Sequence, residues 1–71
     1  MKKLSEAERM ILDAAKDYLL AYQGKLVFEP KEVYMAHYQG LRVMALALGA
    51  ITQSDIEEII KQARKETGFT K

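Results

Sequence analysis

Residues 41–51 read Leu-Arg-Val-Met-Ala-Leu-Ala-Leu-Gly-Ala-Ile, an apolar run with the single charge of Arg42, in a chain of 71 residues. A helix through this run is apolar around most of its circumference, and such a helix has to be covered on all sides. A chain this short has few other elements to cover it. At this size folding buries only about 60% of the surface of the unfolded chain, so small domains depend on disulfides, a structural metal or oligomerisation. The chain contains no cysteine, and His37 is its one histidine. Disulfides and a structural zinc site are thereby excluded. Oligomerisation is the remaining support, and a second copy of the chain is the expected cover.

Composition narrows the class further. With 49% hydrophobic and 30% charged residues, the chain is a folded domain rather than a disordered tail. The apolar run is shorter than the roughly 20 residues that span a bilayer. Met1-Lys2-Lys3-Leu4-Ser5-Glu6 turns polar where a secretory signal carries its apolar core. A cytoplasmic location and no membrane contact are the expectations. Net charge is +1 with the two signs finely mixed. No block of like charge exists to draw nucleic acid over long range.

Punctuation in the sequence predicts an all-α, three-helix bundle over 1–71, with helices at about 6–23, 30–48 and 53–67. Ser5 and Glu8 have the spacing of a capping box, and Leu4, Ala7, Ile11, Ala14, Tyr18 and Tyr22 then recur at steps of three and four. Gly24 suits the left-handed position just past a helix end. Lys25-Leu26-Val27-Phe28-Glu29, between Gly24 and Pro30, is expected to be an extended loop that folds Leu26 and Phe28 onto the core. The alternative is a very short strand, which could pair with its copy across a dimer axis.

Pro30 fits the first position of the second helix, where a missing N–H costs nothing. Gly40 falls in the middle of that helix, at about 1 kcal/mol relative to alanine. Thr52, answered by Asp55, with Ile51 and Ile56 as a hydrophobic staple, starts the third helix. Gly68 followed by Phe69 ends it. Because the third helix has one narrow apolar face, it is expected to be a cover, with the strongly apolar second helix at the centre.

The inventory for catalysis is thin. His37 has Val33, Tyr34, Gly40 and Leu41 as its neighbours one turn away, none of them a carboxylate. Ser5 and Ser54 are helix-start residues, and Glu29 and Glu32 suit a helix dipole. The expectation is a protein with no catalytic residues, no metal and no cofactor. Tyr34, Tyr38 and Arg42, at i, i+4 and i+8, line one edge of the second helix, and Tyr18 and Tyr22 form a similar pair on the first. Tyrosine and arginine are the residue types that anchor protein interfaces.

The expected function is therefore a non-enzymatic protein–protein interaction module: a small adaptor, regulator or assembly factor binding a larger protein and acting as a homodimer through the apolar C-terminal half of the second helix, unless the first and third helices cover that run in a compact monomer. Interface candidates are Tyr34, Tyr38, Leu41, Arg42, Met44, Ala45 and Leu48, with Tyr18, Tyr22 and His37 as secondary ones. The alternative is a small DNA-associated transcriptional regulator, since Ala45, Gly49 and the turn into Thr52 superficially resemble a helix-turn-helix. That resemblance covers about twenty residues. It places Asp55 and Glu58 where such a motif buries apolar side chains, and acids where phosphate contact needs Lys or Arg.

Overall fold

The computed structural model describes residues 4–69. Its elements are α1 (Glu6–Tyr22), α2 (Lys31–Ala47) and α3 (Gln53–Thr67). No described residue lies in a strand. These bounds fall within one residue of the sequence expectation at every helix end.

Local chemistry explains the boundaries. The Ser5 hydroxyl accepts from the Glu8 N–H at 3.2 Å, and the Glu8 carboxylate accepts from the Ser5 N–H at 2.8 Å. Thr52 and Asp55 repeat this reciprocal pair at 3.1 Å in each direction. Each box satisfies two of the donors that a helix start leaves open. At the C-terminal ends, Gly24, Gly49 and Gly68 all take left-handed φ, near +72° to +78°. The following N–H of Lys25, Ala50 and Phe69 then reaches back to Leu20, Ala45 and Arg64 respectively, closing each helix. Pro30 is the residue before α2 rather than its first helical residue. Its ψ of 147° is extended, and its carbonyl accepts the first turn's bond from the Val33 N–H.

The arrangement of the helices differs from the expectation in one respect. The central helix is α1, which packs against both α2 and α3, whereas α2 and α3 touch only sparsely. The reason lies in side-chain size and distribution. In α1, Ile11, Leu12, Ala14, Ala15, Leu19 and Ala21 are all buried and span a wide arc. Its alanines let a helix approach from either side. Only Ala45 of α2 is buried, although this helix contains most of the apolar run. Apolar content makes burial favourable, but it does not by itself decide which helix reaches the centre.

The core joins Ile11, Leu12, Ala15 and Leu19 of α1 to Ala45 of α2, Ile51 of the turn, and Ile56, Ile59 and Ala63 of α3. Ile51 and Ile56 form the expected staple, at 5% and 3% exposure. Around this core run specific lateral ties. Tyr18 stacks on Tyr38 at 6.4 Å with rings nearly parallel, joining α1 to α2. Tyr22 meets Tyr18 and Phe69 edge-on, and the Lys31 ammonium lies 5.0 Å above the Tyr22 ring. Between α1 and α3, Lys16 pairs with Glu66 at 2.8 Å. The buried hydroxyl of Thr67 donates to the Ala63 carbonyl at 2.8 Å. Among the described residues no buried side-chain polar atom lacks a partner.

The connector at 25–29 is a loop. It departs from the expectation at Phe28, which is 88% exposed, and Val27 beside it is also exposed. Only Leu26 is partly covered. With α1 central and already flanked, the loop tip has no free core surface within reach.

Candidate functional site

The outward side of α2 is the feature of this fold that chain folding leaves unfinished. Val33, Ala36, His37, Gly40, Val43, Met44, Ala47 and Leu48 are all exposed and recur at steps of three and four. That spacing puts them on one face. The opposite face, through Tyr34, Tyr38, Leu41 and Ala45, turns towards α1 and the core. The charges of α2 are Lys31, Glu32 and Arg42, and none falls on the outward series. An uncharged face running the length of a helix differs from the scattered single hydrophobes of an ordinary surface.

Gly40 lies at the middle of this face. A Cβ added there would meet nothing within 4 Å, so nothing in the chain's own packing calls for glycine. Its φ is not left-handed either. The helix carries the propensity cost of a glycine with no internal use for it.

The structure divides the sequence-derived interface candidates into two groups. Met44, Leu48 and His37 stand on the outward face, with Met44 63% and Leu48 77% exposed. Ala45 is part of the core, and Tyr38 and Leu41 pack against it, so these three are not free surface. Tyr34 and Tyr18 are half-buried, whereas Tyr22 is exposed at 57%. Arg42 is half-buried and borders a shallow groove between α2 and α3 with Tyr38, Ile56, Ile60, Lys61 and Arg64. Burial pushes the Tyr38 phenol above its ordinary pKa, against the opposing pull of Arg42.

Val33, Ala36, Gly40, Val43 and Ala47 belong to the outward face but are not among the interface candidates read from the sequence, where Gly40, Ala36 and Ala47 stand out only as small residues that let a neighbouring helix approach. Their three-and-four spacing was legible, but it is interleaved with that of the inward series Tyr34, Tyr38, Leu41 and Ala45. A helix apolar on both sides gives no periodic signal saying which side its own chain will cover.

A second concavity, of about 380 Å³, lies between α1 and α3 over Leu4, Leu12 and Ile59. Carboxylates rim it, and most of them have structural work. Glu8 and Asp55 close the two capping boxes. Glu66 accepts from Gln62 and from Lys16, which together hold its carboxyl below the usual range. Among the described residues no group of three or more His, Asp or Glu side chains could hold a metal ion. No described helix is long and apolar enough to cross a membrane.

No family model, no curated protein and no solved structure matches this chain.

Proposed function

We propose that this protein is a non-enzymatic protein–protein interaction module, a small adaptor, regulator or assembly factor that works as a homodimer through the outward face of α2. One observation carries the reading: a full-length, uncharged, apolar helix face left open by a fold whose other two helices bury theirs. Fully burying a side chain such as Val, Leu or Met contributes roughly 1.5–3 kcal/mol. Val33, Val43, Met44 and Leu48 are 47–77% exposed, so each offers only the remaining part of that gain, and the sum over both copies is on the same order as the roughly 4–15 kcal/mol that association costs. A gain so close to the cost makes the expected dimer weak and reversible, dissociating on dilution.

Pairing the α2 faces leaves the connector's Val27 and Phe28 as a further exposed apolar pair on each copy. A dimer thus presents two equal anchors, an arrangement suited to a bivalent partner protein. Sedimentation across a dilution series tests the reading. The wild-type chain is expected to move between dimer and monomer, and Met44→Glu to stay monomeric with unchanged far-UV circular dichroism. A wild-type chain that remains monomeric at hundreds of micromolar would remove the proposal.

A further inference from the structure

Resting on that homodimer reading, we infer that the two α2 helices pair antiparallel, with the two-fold axis passing at Gly40 so that the glycines of the two copies face each other. Three observations converge on this register. First, Gly40 lies next to the midpoint of Lys31–Ala47 and on the open face, with no atom of its own chain within reach of an added Cβ. A residue without a side chain at the crossing lets two helix axes come to the near end of the usual 8–10 Å range.

Second, antiparallel pairing about Gly40 sets large residues against small ones. Met44 faces Ala36 of the other copy, and Val33 faces Ala47 of the other copy. A parallel pairing through the same glycine sets Met44 against Met44 and Ala36 against Ala36, crowding one level and leaving another hollow. Close packing penalises both faults. A two-fold interface must be complementary to itself, and reversal pairs large with small at these two levels, while Val43 meets His37 and Leu48 lies at the end of the seam, opposite Glu32. Antiparallel helices also place each positive N-terminal end beside the other's negative C-terminal end.

Third, the area favours pairing along the whole helix. The large side chains of the face are 47–77% exposed. With the exposed alanines, His37 and Gly40, the face offers at most on the order of 600 Å² per copy, the low end of what a specific interface buries. A pairing along the whole helix uses all of it. A crossing confined to the C-terminal half would leave Val33 and Ala36 uncovered and fall below that range.

The chain has no cysteine, so introduced thiols report on register without background. Ala36→Cys and Met44→Cys chains are mixed, oxidised mildly and separated under non-reducing conditions, alongside sedimentation of the unmodified protein. Antiparallel pairing predicts that the disulfide between the two different variants forms at least tenfold faster than either variant's disulfide with itself. Faster self-linkage of either variant overturns the antiparallel register. A wild-type dimer that yields no disulfide of any of these kinds overturns the register and leaves the homodimer standing. A wild-type monomer overturns both. Gly40→Leu provides the second measurement, and is expected to weaken the dimer at least tenfold while retaining full helical content. Unchanged association of that variant would place the crossing elsewhere.

Discussion

The α1–α3 pair and the outward face of α2 are made of similar residues and behave differently. Isoleucines, leucines and alanines of α1 and α3 close on each other until Ile11, Ala15 and Ala63 are 0–1% exposed. The valines, methionine and alanines of α2 repeat at the same helical steps, yet Val43, Met44 and Leu48 stay more than half exposed. Neither hydrophobicity nor periodicity separates the two regions. They differ in how many other surfaces their own chain can bring against them. Three helices supply three contact seams, and this chain closes two of them tightly around α1. The lesson is that an apolar helix in a chain this small identifies a surface that needs cover, while the supplier of the cover depends on which helix takes the centre.

The largest expected effect probes the closed side of that comparison. Ile11→Ala opens the tightest part of the core and is expected to cost about 2–5 kcal/mol, enough to unfold much of a domain this small. Val43→Ala, on the open face, is expected to change monomer stability by no more than about 0.5 kcal/mol. Urea unfolding at a concentration that keeps the chain monomeric measures both. Equal costs would abolish the distinction between the two regions.

The next effect concerns the ends of the closed side. Thr52→Ala removes the hydroxyl that receives the Asp55 N–H and is expected to cost about 1 kcal/mol. The loss should appear in thermal melts and be recovered largely by Thr52→Ser. Of similar or smaller size is the stack between Tyr18 and Tyr38, the one aromatic contact joining α1 to the inward face of α2 among the described residues. A double-mutant cycle with alanine at the two positions is expected to give about 0.5–1.5 kcal/mol of coupling. Coupling near zero would mean that α2 is held by its other contacts, Leu41, Ala45 and Leu46 on the core and Lys31 over Tyr22.

The smallest effect is electrostatic. The Gln62 amide, followed by Lys16, holds the Glu66 carboxyl below its usual range, and the Glu66 contact raises Lys16 above its own. A depressed carboxylate contributes stability at neutral pH that disappears as pH falls through its lowered value. A raised lysine contributes stability that disappears as pH climbs through its raised value. Glu66→Gln should therefore destabilise slightly at neutral pH and become indistinguishable from wild type in strong acid, as followed by urea midpoints against pH. A difference that persists below the carboxylate range would assign the effect to packing instead of charge.

The helices, their starts and their stops were all legible because each is specified within a few residues. Ser5 with Glu8, Thr52 with Asp55, and the three left-handed glycines act through bonds that span five residues or fewer. The candidate site was only half legible. Met44, Leu48 and His37 were found, but Tyr38, Leu41 and Ala45, chosen from the same helix, turn inward. Nothing within α2 distinguishes these two sets, since each repeats at helical spacing.

By itself, then, the sequence determined three helices with their ends to within one residue, the absence of any cysteine to form a disulfide, and an excess of apolar residues on the second helix. Tertiary structure alone decided that α1 would be the centre, that Phe28 would remain outside, and which side of α2 would stay open. The physical reason is range. Capping and helix formation are settled by neighbours along the chain, whereas burial is a competition among whole faces. In this chain α1 holds the centre, its buried residues spanning an arc that faces α2 and α3 at once.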